Sequence, residues 1–140
     1  ICLMAMTAMA QTVWVDLDLP SGTKWKSANE KGYFSYEKAV DNFGGFLPTK
    51  EQFQELKACC IWEWKGDGYL VTGNNGNSIF LPAAGCRYLG GVVGSVGTIG
   101  LYRSSTPHDS YDAWYLRFNL SEVYMFCDLR CSGLSVRLVQ

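Results

Sequence analysis

The alternation of apolar and polar residues is clearest near the C-terminus of the chain. In one run Trp114, Leu116 and Phe118 occupy every second position, with Tyr115 and Arg117 between them. Successive side chains of a strand point to opposite faces, so this run predicts a strand with one apolar face and one mixed face.

The next run repeats this arrangement. Val123 and Met125 alternate with Tyr124 and Phe126, which predicts a second strand with the same two faces. One face has the composition of an ordinary core. The other is rich in Tyr and carries Arg, Asp and Phe, a composition typical of recognition surfaces.

The earlier part of the chain predicts two helices. Ser35 is a suitable N-cap for a helix from Tyr36 to Phe43, which two glycines would end. Thr49 is a suitable N-cap for a helix from Lys50 to Cys59, with Gln52 at the capping-box position.

Short strands and turns account for most of the remainder. Strands are predicted at 13–19, 69–72, 78–81, 113–118, 122–127 and 134–139, with an Asn- and Gly-rich hairpin turn at 73–77 and a Gly-rich meander at 85–100. Two early helices followed by many short strands predict an α+β fold, with small twisted antiparallel sheets and long loops.

Composition narrows the classes of partner. The net charge is -1, charged residues make up 18% of the chain, and no polybasic run occurs, which argues against nucleic-acid binding. The length of 140 residues fits one domain, predicted at 11–140, that is large enough to bury a core.

The first ten residues are apolar and small. Ala8-Met9-Ala10 fits the cleavage rule of signal peptidase, and the run is too short to span a bilayer. We therefore interpret 1–10 as the remnant of a signal peptide and predict an exported protein that is periplasmic, cell-surface or secreted, without a membrane span. A buried N-terminal strand or helix is the alternative.

Cysteine and histidine usage argues against a zinc site. Cleavage after Ala10 would leave five cysteines, an odd number that cannot pair completely within the chain. Buried free thiols and a single bridge with leftover thiols both remain open. No C-x-x-C pair occurs and the chain has one histidine, so no metal or other cofactor is predicted.

Several segments together resemble the C-type lectin-like fold, in the branch shared by formylglycine-generating enzymes and bacterial variable ligand-binding proteins. The resemblance rests on Val15–Trp25, Phe46–Leu56, Gly76–Gly85, Ser104–Thr106 and Gly133–Val139, which occur in the family's order. It resembles a short member of a group of exported proteins from gut bacteria. Arg103 stands where that group usually has Trp, and Arg137 in the last motif is expected to be structural and to pair with a carboxylate.

The resemblance implies that the C-terminal region is a target of a diversity-generating retroelement. Such elements rewrite adenines, chiefly in AAY codons, and the resulting NNY codons never encode Lys, Gln, Glu, Met or Trp. None of the positions expected to face outward carries one of these types. The predicted ligand-binding positions are Leu101, His108, Tyr111, Asp112, Tyr115, Arg117, Leu120, Tyr124, Phe126, Cys127, Asp128, Leu129, Cys131 and Ser132.

The resulting hypothesis is a non-enzymatic domain that binds a protein or glycan on another cell or phage. A structural or surface-assembly module with a fixed partner is the main alternative. An oxidase similar to formylglycine-generating enzymes is a weaker one, because Cys127 and Cys131 echo that family's cysteine pair at a different spacing. A calcium lectin is disfavoured, because the family's sugar-binding motifs are absent and no acidic cluster offers enough oxygen ligands.

Overall fold

The structure, a computed structural model, describes residues 13–130 and 132–140. Within these residues two short helices precede most of the strands, so the predicted α+β class is confirmed. The helices are α1 (Tyr36–Phe43) and α2 (Lys50–Cys59), joined through a 3₁₀ turn at Gly44–Phe46. The strands are β1 (Trp14–Asp16), β2 (Lys24–Lys26), β3 (Ile61–Trp64), β4 (Gly68–Thr72), β5 (Ser78–Pro82), β6 (Cys86–Arg87), β7 (Val93–Gly94), β8 (Gly100–Pro107), β9 (Asp112–Phe118) and β10 (Val123–Leu129).

Both helices begin and end where the sequence predicts. The side chain of Ser35 accepts a hydrogen bond from the Lys38 N–H at the start of α1. At the start of α2, Thr49 Oγ1 accepts from the Gln52 N–H at 3.1 Å, and Gln52 Oε1 accepts from the Thr49 N–H at 2.8 Å. The predicted capping box is therefore confirmed, and it satisfies two N–H groups that the helix itself leaves unpaired.

All the strand pairs are antiparallel. The described strands form sheets in the orders β1-β2, β3-β4-β5, β6-β7 and β10-β9-β8. The predicted hairpin between β4 and β5 is confirmed, because Thr72 pairs with Ser78 across the Asn- and Gly-rich turn.

The main core lies between α2 and the β10-β9-β8 sheet. Leu116 and Phe118 of β9 are buried together with Phe53 of α2, Trp25 of β2 and Tyr102 of β8. The rings of Tyr102 and Phe118 stack with their centres 5.9 Å apart. The predicted apolar face of β9 is therefore a true core face.

Gly100 makes the close approach between β8 and β9 possible. A Cβ at this position would lie 2.0 Å from Cζ of the Phe118 ring, well inside any allowed contact. Glycine therefore lets the Phe118 ring cover the backbone of the neighbouring strand.

The predicted strand at 134–139 is wrong. Leu134 pairs with Phe34, Ser135 with Tyr102, and Val139 with Trp25, each as an isolated bridge. This segment passes several elements in turn, so different neighbours satisfy its backbone groups and no continuous ladder forms.

The first strand is shorter than predicted and ends at Asp16 instead of Leu19. Asp18 has a positive φ of 56°, and its N–H donates to Asp16 Oδ1 at 2.9 Å. An Asx-type turn therefore interrupts the alternating pattern before Leu19, which is nevertheless buried.

Arg137 is structural, as expected, but its expected carboxylate partner is wrong. Its guanidinium is buried and donates to Asn29 Oδ1 at 2.8 Å and to the carbonyl oxygens of Lys26 and Phe80. Neutral acceptors thus compensate the buried charge. Because burial disfavours the charged form, it lowers the pKa of Arg137 to about 10.

Four cysteines within the described residues are free thiols: Cys59, Cys60, Cys86 and Cys127. Burial, together with the neighbouring Cys59 and Glu55, raises the pKa of the Cys60 thiol to about 11, which keeps it protonated at neutral pH.

The predicted signal-peptide remnant, 1–10, lies outside the described residues. No helix in the described part of the chain is long and apolar enough to cross a membrane.

Candidate ligand-binding face

The β10-β9-β8 sheet has two faces that its register defines. The inner face packs on the main core. The outer face is the opposite one, on which Leu101, Arg117 and Tyr124 lie side by side across the three strands, followed by Tyr115 beside Phe126. Directly opposed residues in antiparallel strands share a face, so these outward side chains form a continuous surface.

Two predicted outward positions are buried. Leu101 is 7% exposed and Tyr115 is 4% exposed, and both belong to a second, smaller core with Cys86 and Leu134. Alternation correctly places them on the outer face. The expectation that they contact solvent is wrong, because the segment between β5 and β8 and the final segment fold over that part of the sheet.

A cavity of about 130 Å³ opens above this second core. Its apolar lining comes from the second core, with Ile99 and Tyr88 from the covering segment. Its polar lining includes one cationic and one anionic side chain. The lining residues are Cys86, Tyr88, Ser95, Ile99, Leu101, Tyr115, Arg117, Asp128, Ser132 and Leu134.

Tyr115 links the apolar and the polar parts of this cavity. Burial raises the pKa of its phenol, and the charge of Asp128 raises it further, while the hydrogen bond and the charge of Arg117 act in the opposite direction. The phenol is therefore neutral at physiological pH and lies among a cation, an anion and the Tyr124 hydroxyl. This arrangement offers both donors and acceptors to a polar group at the mouth of the cavity.

Exposed apolar side chains lie on β10 and at both ends of β9. Phe126 is 47% exposed, and its ring packs edge-on against Tyr115 at 6.1 Å and Tyr124 at 6.2 Å between centres. Tyr111 is 76% exposed before β9 begins, and Leu120 is 70% exposed in the turn between β9 and β10. These two residues lie just beyond the opposite ends of β9.

Three predicted positions lie elsewhere. Cys127 pairs directly with Trp114, which places it on the inner side of the sheet, and Asp112 alternates to that same side. The His108 ring packs edge-on against Trp114 at 5.4 Å. Cys127 and Asp112 therefore do not share a face with Tyr124 and Phe126, because neighbouring positions in a strand face opposite ways, and His108 lies in the loop before β9.

The last predicted positions are described only in part. Ser132 lines the cavity. The backbone of Leu129 pairs with Asp112. The side chain of Leu129 and the whole of Cys131 lie outside the described residues.

Sequence reasoning missed the covering loop. Tyr88, Ser95 and Ile99 line the cavity, but the sequence indicates only a Gly-rich meander at 85–100. The sequence does carry a signal for this loop. Tyr88 and Leu89 precede two glycines, and Val92 and Val93 follow them, so the run is more apolar than a solvated turn usually is. The side chains of this run are largely exposed.

Hydrogen bonds from one buried arginine hold the chain beside the cavity. Arg103 is fully buried, and it donates from Nε to the carbonyl oxygen of Phe34 at 3.2 Å and from Nη2 to the carbonyl oxygens of Arg130 and Ser132. These bonds hold the segment that follows β10 against β8. Arg103 thereby positions Ser132, which lines the cavity.

The loop before β9 is held by its own turn. Asp109 Oδ1 accepts from the N–H groups of Tyr111 and Asp112, both at 2.8 Å, and these bonds lower the pKa of Asp109. Asp109 therefore serves as a turn former here. Within the described residues, no group of three or more His, Cys, Asp or Glu side chains is arranged to hold a metal ion.

No family model matches this chain, and neither a curated protein nor a solved structure matches it.

Proposed function

We propose that this chain is an exported, non-enzymatic ligand-binding domain of the C-type lectin-like fold, whose outer sheet face contacts a protein or glycan on another cell or phage. The observation that carries the proposal is the cavity of about 130 Å³ with an apolar floor, charged Arg117 and Asp128 at its lining, and the exposed Phe126 ring packed against its Tyr115. Large aromatic side chains with adaptable polar groups are typical of protein recognition surfaces.

The size of the cavity favours a macromolecular ligand. Sites for whole small molecules enclose roughly 300–1,000 Å³, whereas an apolar cavity of about 150 Å³ accommodates a single benzene ring. The cavity described here, at about 130 Å³, therefore matches one ring or one branched side chain that projects from a larger partner. Tyr124, Phe126 and Tyr111 would then contact the partner around that inserted group.

We further propose that retroelement mutagenesis diversifies this face. The outer-face residues Tyr115, Arg117, Tyr124, Phe126 and Asp128 are all types that NNY codons encode. Trp114 and Met125, which such codons never encode, lie on the inner side of the same strands. Variation on the outer face would leave the main core unchanged, which explains how the fold could tolerate it.

The gene's neighbourhood tests the diversification. We expect a near-identical template repeat that differs from the region encoding 101–132 almost only at adenines, next to a reverse-transcriptase gene. Sequencing the locus decides the matter, and non-NNY codons at the outer-face positions with no such repeat would refute it.

Binding itself is testable on an array of bacterial surface glycans together with a phage-displayed peptide library. For any ligand recovered, Arg117→Ala and Phe126→Ala should each weaken binding by about tenfold or more, because central aromatic and arginine contacts dominate such interfaces. Lys24→Ala, on an exposed part of β2, is the matched control and should leave affinity unchanged. Equal affinities for all three variants would exclude the outer face as the binding site.

A structural module with one fixed partner is the second candidate, and the burial of Leu101 and Tyr115 favours it. Buried residues support packing more readily than variable recognition. A series of natural or engineered outer-face sequences separates the two proposals, because a diversified receptor changes its ligand while an assembly module loses its only partner.

A further inference from the structure

Among the residues that the structure describes, the edge of the sheet at β10 has a row of backbone hydrogen-bonding groups without a partner. β10 is the outermost strand of the order β10-β9-β8. At one end of the β9–β10 pair the Asn119 N–H donates to the Glu122 carbonyl at 3.0 Å, and at the other the Arg130 N–H donates to the Tyr111 carbonyl at 2.9 Å. These two bonds fix which residues of β10 turn their N–H and C=O towards β9.

Hydrogen-bonded pairs alternate along an antiparallel ladder, so Tyr124 and Phe126 direct their backbone groups to β9. The N–H and C=O groups of Val123, Met125 and Cys127 therefore point away from β9, to the open edge. No described strand, loop or side chain hydrogen-bonds to these groups on that side. The other edge, along β8, is covered, because Gly100 and Tyr102 bridge to Gly85 and Ser135.

The free edge lacks the usual features that prevent pairing with another chain. Proteins protect edge strands with proline, lysine or a bulge, or by keeping the strand short. β10 spans Val123–Leu129 without proline or lysine, and its register with β9 is unbroken over that whole length. Asp128 is its one charged residue.

We propose that β10 pairs antiparallel with β10 of a second copy of this chain, about a two-fold axis at Phe126. The backbone of Met125 then bonds to Cys127 of the second copy, and the reverse bond follows by symmetry. On the outer face, the two Phe126 rings lie opposite each other and Tyr124 lies opposite Asp128 of the second copy. Beyond them Glu122 faces Arg130 of the second copy.

Charge complementarity selects this register from its neighbours. It places the Tyr124 phenol opposite the Asp128 carboxylate and acidic Glu122 opposite basic Arg130. The two-fold axis repeats both contacts at the other end of the strand. The Arg130 guanidinium is held in place, because it donates to the carbonyl oxygens of Asp109 and Asp112 and lies over the Tyr36 ring. It already lies 3.9 Å from Glu37 Oε1, so Glu122 of the second copy would add a second carboxylate to this ion pair.

The two adjacent registers that use the same backbone groups are less favourable. One places Asp128 opposite Glu122, where like charges repel across the strands. The other places Asp128 opposite the apolar ring of Phe126. The self-complementarity of the proposed register is the property that a two-fold interface requires.

The dimer would form one six-stranded sheet with both outer faces on the same side. The two cavities would then face a ligand together, which gives a bivalent surface for partners with repeated groups. This inference is independent of the proposed ligand class, because dimerisation is measured on the protein alone. Its register is specific to a chain that carries Tyr124, Phe126 and Asp128, so a variant diversified at these positions need not share it.

Sedimentation velocity of the full chain over a range of micromolar concentrations tests the proposal. We expect a concentration-dependent dimer. Phe126→Lys should raise the dimer dissociation constant by about a hundredfold or more, since it replaces the central aromatic pair by two like charges. Leu120→Lys introduces the same charge in the neighbouring turn and should leave the dissociation constant unchanged.

Disulfide cross-linking tests the register. In a non-hydrogen-bonded antiparallel pair the Cα atoms are about 4.5 Å apart, within the range that a disulfide spans. Phe126→Cys should therefore give a covalent dimer under mild oxidation, whereas Leu120→Cys and the unaltered chain should not. A chain that stays monomeric, a dimer insensitive to Phe126→Lys, or equal cross-linking at position 120 would each overturn the proposal.

Discussion

At the scale of single residues, buried polar side chains connect distant parts of this chain. Tyr102 donates its hydroxyl to the Pro82 carbonyl at 2.7 Å and accepts from Asn29 Nδ2 at 3.0 Å. Asn29 in turn accepts from Arg137 Nε at 2.8 Å. The network ties β5, β8 and both ends of the described chain together, and every bond in it replaces one that water makes in the unfolded state.

The phenol of Tyr102 should make stability depend on pH in the alkaline range. Burial raises the pKa of Tyr102 to about 12, above its ordinary value of 10.0. The folded state therefore holds this proton more tightly than the unfolded state does. The resulting stabilisation is complete below pH 10 and is lost as the pH rises towards 12.

Tyr102→Phe removes this dependence and serves as the test. The variant should be less stable at neutral pH by about 1 kcal/mol, because it loses hydrogen bonds while the Asn29 amide and the Pro82 carbonyl stay buried. It should lose less free energy of unfolding than the unaltered chain between pH 10 and pH 12, as denaturant titrations at each pH would measure. Tyr111→Phe, at an exposed site, is the control, and an identical pH profile for Tyr102→Phe would contradict the assignment.

At the scale of elements, the two faces of β9 and β10 have different environments. Leu116 and Phe118 are buried in the main core, and Val123 and Met125 pack against it. The outer face of the same strands lines a cavity and extends into exposed aromatic residues. One row of side chains in a sheet can therefore stabilise the fold while the other row is available to contact a ligand.

Truncating a side chain in the main core should lower the free energy of unfolding more than truncating an exposed one. Leu116→Ala leaves a void in the main core and should lower the free energy of unfolding by about 2–5 kcal/mol. Tyr111→Ala removes a larger but exposed side chain and should change it by about 0.5 kcal/mol or less. Urea denaturation measures both, and a similar loss in the two variants would show that the outer side chains are part of the stabilising core.

At the scale of the whole molecule, the segments that cover the sheet shape the candidate site. The chain between β5 and β8 and the final segment bury Leu101 and Tyr115 and leave a cavity beside Arg117 and Asp128. The proposed two-fold pairing of β10 would place two such cavities on one continuous sheet. Ligand binding and dimerisation are thus separate expectations about the same face and its edge.

Local patterns were sufficient to predict most elements. Both helices, the capping box at Thr49 and the β4–β5 hairpin follow from side chains that act within a few residues of their own position. The predicted strand at 134–139 failed, since its apolar pattern reflects burial against several different neighbours. Cys127 lies on the opposite face of β10 from Tyr124 and Phe126, because strand alternation and its pairing with Trp114 place it on the inner side.

The sequence by itself determined the α+β class, the helix bounds and the sidedness of β9 and β10, because caps, turns and period-two alternation are local. Only the tertiary structure decided which outward residues are covered, where the cavity lies and which sheet edge has no partner among the described residues. Those properties depend on loops that pack against residues far away in the chain. For Tyr115, alternation identified the face, and the segments folded over it made the residue part of a buried floor.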